Sequence, residues 1–366
     1  MARDPGAPDE IPTKASFARS RKRQLIGGGV AIAVIAATFA FVLPRIADYR
    51  DVWGVVKTLT WPAIVALVVA TTFNLVTYAP PWQAALPGLR FRQAFVVTQA
   101  STASTFIAPG GFAPGMAVSA LMLRGWGFSG RPVTLAVTVT GVWNQLFIYG
   151  GPIVALGLLT TEGETHSLLR TIALVGAAIF GAIIAGLVAG FWSDAFALAT
   201  GDRVAAVVSW LKRRVRRKPV TWSGESLVRF RHETIELLSR RWHVLTLATL
   251  AGQLTVFGVL LVSLRVLHVS ASHVSWIEAF AAWTIVRVLG SLPITPGGLG
   301  IVELGLTSLL VGFGGGQAEV VAAVLVYRFL TMVPTLLLGL AAAATWRRHH
   351  PALAHHGGDA AGSVEH

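Results

Sequence analysis

Long apolar runs separated by short polar or basic stretches dominate this chain. A helix needs about 20 apolar residues to cross the hydrocarbon layer of a bilayer. Runs of that kind occupy 25–44, 61–80, 133–159, 170–192, 244–265 and 319–345. Two further apolar zones, 93–123 and 276–315, are long but broken midway by proline and glycine. The pattern predicts an all-α polytopic membrane protein with six full spans and two Pro-Gly-Gly-broken helical hairpins, eight or more membrane segments in all. Each hairpin is expected to enter the membrane and leave on the same side.

The two breaks resemble each other. Ser104-Thr-Phe-Ile-Ala-Pro-Gly-Gly-Phe-Ala113 aligns with Ser291-Leu-Pro-Ile-Thr-Pro-Gly-Gly-Leu-Gly300 at an offset of 187, so that Pro109, Gly110 and Gly111 fall on Pro296, Gly297 and Gly298. The same offset carries span 61–80 to 248–267 and span 133–159 to 320–346. The unit of span, broken hairpin and span therefore occurs twice, about 61–159 and 248–346. With one span (170–192) between the copies, the second unit starts on the opposite side, which makes an inverted repeat. Chance matching in a Gly/Ala/Leu-rich chain is the competing explanation.

Backbone groups freed by proline and glycine would each cost several kcal/mol in contact with lipid. They are tolerated at membrane depth where they are buried in protein or line a wet cavity. Paired discontinuous helices in inverted repeats mark the substrate site of many transporters, and glycine permits positive φ and close approach at the break. A plain tight turn between two helices is the alternative.

Charge sharpens the layout. The chain is 54% hydrophobic and 13% charged, with mean hydropathy +0.65, against about 25% charged in soluble domains. The net charge of +13 does not imply nucleic acid, because the basic residues cluster beside spans: Arg19, Arg21, Lys22 and Arg23 precede the first, and 11 of the 30 basic residues lie between Arg203 and Arg241. The positive-inside rule then places both termini in the cytoplasm of a cell-membrane protein. The chain divides into a disordered basic tail 1–24, a membrane domain 25–346 with a cytoplasmic basic loop 193–242, and a disordered tail 347–366. Only 45–60, with Arg45, Arg50 and Lys57, carries its basic residues on the wrong side. The run 25–43 reads as a retained span rather than a signal peptide. The segment Trp210–Lys218 is polybasic, either a topology anchor on a solvated helix or a surface for anionic lipid.

Three charges stand within apolar sequence: Arg287, Glu303 and Arg328. Each would cost at least about 2.5–3.5 kcal/mol at mid-bilayer facing lipid, so each must pair or face water. Glu303 falls just after the second break, where a helix N-terminus favours a carboxylate. An arginine here suits a lipid phosphate and Glu303 a cationic head group. Equally, Arg287–Glu303 or Arg328–Glu303 is a buried ion pair locking the hairpin. The first unit offers Asn144, Gln145, Gln99 and a set of hydroxyls expected mostly to bond back to helix carbonyls. Tyr327 beside Arg328 completes the candidate site. Glu278 is expected at the membrane surface.

No cysteine is present, which excludes disulfides and Cys-type zinc sites. His349, His350, His355 and His356 lie in the C-terminal tail; no metal or cofactor is expected. The sequence holds no Walker loop, HExxH, nucleophile elbow or carboxylate pair on one helix, and no catalytic activity is expected.

The stretch 291–306, "SLPITPGGLGIVELGL", with 322–341, "AAVLVYRFLTMVPTLLLGLA", resembles the lysylphosphatidylglycerol synthase transmembrane-region family of flippase-like membrane proteins. The family's P-x-T-P-G-G-x-G-x-x-E element is met by Pro293, Thr295, Pro296, Gly297, Gly298, Gly300 and Glu303, and its later Y-R by Tyr327 and Arg328. The resemblance covers about 25–345. It implies a flippase for aminoacylated phospholipid, which in full-length relatives is made by a separate cytoplasmic C-terminal domain. This sequence stops after the last span, so aminoacyl transfer is not carried over. At Ala113-Pro-Gly-Met116 it lacks the acidic and basic residues that relatives often place there, which leaves the head group open. Three functions are expected in descending order. The first is a flippase or translocase for an anionic or aminoacylated phospholipid or a lipid-linked glycan. The second is a non-transporting partner of a separate synthase or glycosyltransferase, and the third a small-solute transporter.

Overall fold

The computed structural model describes residues 53–54, 57–108, 112–161, 167–214, 224–292 and 295–346. The first expected span, 25–44, both tails and Pro109, Gly110 and Gly111 lie outside the described residues. Within them the chain is helical, with no strand. The helices are α1 (Trp61–Thr77), α2 (Pro80–Ala85), α3 (Phe91–Ile107), α4 (Ala113–Gly125), α5 (Gly130–Thr161) and α6 (Ser167–Trp192). There follow α7 (Asp194–Arg214), α8 (Gly224–Val266), α9 (Trp276–Ser291), a 3-10 turn (Pro296–Gly298), α10 (Ile301–Gly312) and α11 (Gln317–Thr345).

Among the described residues four helical stretches are long and apolar enough to cross a membrane: Trp61–Ala85, Gly130–Thr160, Gly224–Val266 and Gln317–Ala343. They contain the expected spans 61–80, 133–159, 244–265 and most of 319–345. The expected span 170–192 falls on helix α6, which is not among these four; its apolar stretch, Leu174–Gly186, is shorter. The broken zones are the pairs α3–α4 and α9–α10. At 1.5 Å per residue α3 and α9 are about 24–26 Å long and α4 and α10 about 18–20 Å, all short of the roughly 30 Å hydrocarbon layer.

Local chemistry sets the ends. Proline stands in the first turn of α1, α2 and α4, where its missing N–H costs nothing. A capping box opens α9: Ser275 Oγ accepts from the Glu278 amide (3.2 Å) and Glu278 accepts from the Ser275 amide (2.6 Å). Glu278 is thus a cap. Arg265, at the end of α8, donates to the carbonyls of Val269 and Val274 (both 2.8 Å) and ties the connection to α9.

Two large apolar cores result, beside a small third between α5 and α9 at Ala155, Leu159, Ile277, Ala281 and Ile285. Of the large cores, one joins α8, α9, α10 and α11 through Leu260, Leu264, Leu306, Leu310 and Val324. The other joins α2 to α5 through Leu86, Val97, Leu123 and Val133, with Leu245 of α8 and Ala342 of α11. Packing partners are exchanged between the halves: α3 lies on α11, and α9 lies on α5. A shift of 187 positions moves Gly130, the start of α5, onto Gln317, the start of α11, and the end of α4 onto the end of α10. Large apolar side chains cover the outside, among them Val69 and Phe73 of α1, Leu247 of α8 and Leu337 of α11. Such a surface belongs in lipid.

The basic segment 193–242 is helical where described rather than a loop. At 43 residues, α8 is about 65 Å long, roughly twice the hydrocarbon layer. Its charged N-terminal half, Arg229 to Arg241, carries α7 alongside. Arg231 pairs with Asp194, and Asp202 Oδ1 accepts from the Gly224 amide at 2.7 Å.

Candidate functional site

The second break is built from backbone that other residues resist. After α9 the chain is extended at Leu292 and Thr295, then turns through Gly297 (φ 60°), Gly298 (φ 67°) and Gly300 (φ 82°). Positive φ favours glycine, and space demands it as well. A Cβ on Gly297 would lie 2.9 Å from the Phe106 ring. Phe106 belongs to α3, just before the first break, so the two interrupted regions touch.

The turn is clamped by charge. Arg328 on α11 donates through Nε to Glu303 Oε1 (2.6 Å) and through Nη2 to the Gly297 carbonyl (2.9 Å). Glu303 Oε2 accepts from the Gly300 amide (2.7 Å). Both side chains are almost wholly buried, 9% and 4% exposed. Two backbone groups that the break freed from helical bonding are thereby satisfied by an ion pair. Of the two pairings open from sequence, Arg328–Glu303 is the one formed.

Arg287 goes elsewhere. Its guanidinium sits 5.1 Å over the Trp283 ring, and Nη2 donates to Gln253 Oε1 (2.7 Å). Gln253 Nε2 donates to Asn144 Oδ1 (2.6 Å), and Asn144 Nδ2 to Gln145 Oε1 (3.4 Å). A polar chain thus links α9, α8 and α5. Trp283 also donates from Nε1 to the Tyr327 hydroxyl (3.2 Å), which holds Tyr327 buried beside the same wall.

These groups border one cavity of about 400 Å³ between the two large cores. Arg287, Asn144, Gln145, Gly297, Tyr327 and Arg328 all reach it; Pro296, Gly298 and Glu303 shape the turn behind it. The first hairpin contributes Gln99, Thr102, Thr105 and Phe106. Its hydroxyls are largely engaged, as expected: Ser101 bonds to the Thr98 carbonyl (3.0 Å), Ser104 to Ser101 (2.6 Å) and Thr105 to Thr102 (2.7 Å). The hydroxyls of Thr249 and Thr295, also on the cavity, are buried without a hydrogen-bond partner. Among the described residues no three His, Asp or Glu side chains gather as metal ligands.

Gln253 and Thr249 escaped the sequence reading. The available signal was a polar amide near the middle of an otherwise apolar span, the same signal that singled out Arg287.

The family described as Lysylphosphatidylglycerol synthase TM region matches residues 27–339. The chain belongs to this family. The match takes in both breaks, the Arg328–Glu303 clamp and the whole cavity, and it begins in the apolar run that precedes the described residues. Membership in the lysylphosphatidylglycerol synthase TM-region family makes the protein a multi-pass membrane protein with a membrane-embedded, lipid-related role. No curated protein matches the chain.

Proposed function

We propose that the protein is a lipid flippase, moving a phospholipid or lipid-linked head group across the cell membrane through the groove between the two broken hairpins. One observation carries the reading: one cavity, of mixed polar and apolar lining, is bounded by both hairpins, with Thr105 and Phe106 on one side and Thr295 and Gly297 on the other. Head groups would enter this slot while their tails remain in lipid. Buried charge is tolerated at membrane depth where it is paired or faces such a cavity.

The hairpins act as re-entrant elements, because none of their arms spans the hydrocarbon layer alone. They are halves of an inverted repeat. The coincidence of helix ends at a shift of 187 and the exchanged packing of α3 on α11 and α9 on α5 support this. Alternating access would then follow from rocking one unit against the other. Both termini and the basic α7–α8 arm lie on the cytoplasmic side, by the distribution of Lys and Arg.

Reconstitution tests the reading. Liposomes carrying the purified chain and fluorescent phospholipids should lose inner-leaflet protection from an external quencher faster than protein-free liposomes. Glu303→Gln and Arg328→Ala, which unclamp the second break, should abolish the gain. Wild-type rates no faster than empty liposomes, or rates unaltered by both variants, would overturn it.

The projecting α7–α8 arm favours a second reading, in which the protein docks a synthase or glycosyltransferase without transporting. A partner captured by the wild type, lost on deleting 203–241 and kept by Glu303→Gln, would support that instead.

A further inference from the structure

The polar chain along the cavity wall has a direction. Arginine has only donors, so Gln253 must turn its oxygen to Arg287 and its NH₂ away. Asn144 must then present its oxygen to Gln253 and its NH₂ to Gln145. Each amide oxygen in the chain accepts a hydrogen bond from within it. What remains at its two ends are donors: the N–H groups of Arg287 not engaged by Gln253 or by the Tyr78 hydroxyl, and the Nε2 of Gln145, which has no partner among the described residues. Both ends face the cavity.

Charge points the same way. The charged residues lining the cavity are Arg287 and Arg328, and no carboxylate lines it among the described residues. Arg328 is neutralised by Glu303, whose two oxygens are already occupied by Arg328 and the Gly300 amide. Arg287 has no acidic partner among the described residues, so the slot holds one uncompensated positive charge. The indole of Trp283 holds one face of the guanidinium without neutralising it. One turn before Gln253 on α8, Thr249 is 6% exposed and its hydroxyl lacks a partner.

We propose that Arg287, Gln145 and Thr249 form an oxyanion seat for the phosphate of a lipid head group, and that the slot selects heads of net negative charge over zwitterionic or aminoacylated ones. An acceptor-only ligand satisfies donors at both ends of the chain. A cationic ammonium meets no free carboxylate and adds to an existing positive charge. The phosphate's origin in a lipid rests on the translocation reading above, whereas the seat itself does not.

The experiment uses the full chain in neutral detergent and titration calorimetry with dihexanoyl phosphatidylglycerol, dihexanoyl phosphatidylcholine, a short-chain lysyl-phosphatidylglycerol and inorganic phosphate. Phosphatidylglycerol is expected to bind at least about tenfold more tightly than the zwitterionic or lysylated lipid, as charge-assisted hydrogen bonds imply. Gln253→Glu is the decisive variant. It replaces one NH₂ by oxygen, pairs Arg287 internally and cancels the slot's charge, while the Asn144 and Gln145 amides turn over to donate toward the new carboxylate, so the preference should vanish in a protein that stays folded. Arg287→Lys keeps the charge but loses the planar fork, and should weaken phosphatidylglycerol by roughly tenfold. Thr249→Val should weaken it about threefold, and the exposed Arg229→Gln, which removes the same charge elsewhere, should leave it unaltered.

Equal binding of the three lipids, or a preference that survives both Gln253→Glu and Arg287→Lys, overturns the proposal. Inorganic phosphate binding as tightly as phosphatidylglycerol would overturn the lipid source and leave the oxyanion seat standing. Selective binding without lipid movement in liposomes would sink translocation and uphold the seat.

Discussion

The two broken hairpins share a Pro-Gly-Gly interruption and hold themselves together differently. Between α9 and α10 an ion pair satisfies the freed backbone: Arg328 reaches the Gly297 carbonyl and Glu303 the Gly300 amide. Beside the first break there is no charge. The hydroxyls of Ser101, Ser104 and Thr105 bond to carbonyls of their own helix, and α4 approaches α3 closely through Gly115. A Cβ there would lie 2.9 Å from Thr105 Cγ2 and 3.1 Å from the Ser101 carbonyl oxygen. The first hairpin is fitted by shape and the second clamped by charge. The second break should therefore be the stiffer of the two, and most sensitive to single substitutions.

The largest effect should come from unclamping the second hairpin. Arg328→Ala leaves Glu303 buried and unpaired and should cost about 3–5 kcal/mol, read as a lower unfolding midpoint in detergent. If Arg328→Ala costs no more than a surface arginine such as Arg229→Ala, the contrast between the hairpins fails. Next come the glycines. Gly297→Ala combines positive φ with contact against Phe106 and should cost about 1–3 kcal/mol, and Phe106→Ala in the same chain should recover the steric part. Gly115→Ala should cost a similar 1–3 kcal/mol through overpacking alone, without gain from any change at the second break. Smallest of all, Ser104→Ala in the first hairpin should cost about 0.5–1 kcal/mol, because the hydroxyl only duplicates a bond its helix already makes.

Much of this was legible in the sequence, for physical reasons. Proline and glycine in an apolar run announce both breaks, since they alter backbone bonding wherever the chain folds. The cost of charge in lipid announces Arg287, Glu303 and Arg328 as paired or solvated. Sequence did not reveal which arginine takes Glu303. That depends on α11 passing beside the turn while Arg287, on the arm before it, faces α8. Gln253 was missed because its role exists only once α5, α8 and α9 meet: its partners stand 34 and 109 positions away. The basic segment near 193–242 read as a loop because its charges hide an amphipathic pattern, and its helices become visible where α7 packs along α8.

The absence of cysteine gives the most direct test of the central claim, that both breaks border one hydrated slot. Thiols react as thiolates, which water supports and lipid suppresses. Single cysteines at Thr102 of α3 and Thr331 of α11 line the cavity, while Phe73 of α1 and Leu337 of α11 lie on the outer face, 60% and 63% exposed. In liposomes, a water-soluble thiosulfonate reagent should modify Thr102→Cys and Thr331→Cys at least about tenfold faster than Phe73→Cys and Leu337→Cys. Cavity positions that react as slowly as the outward-facing ones would contradict the account.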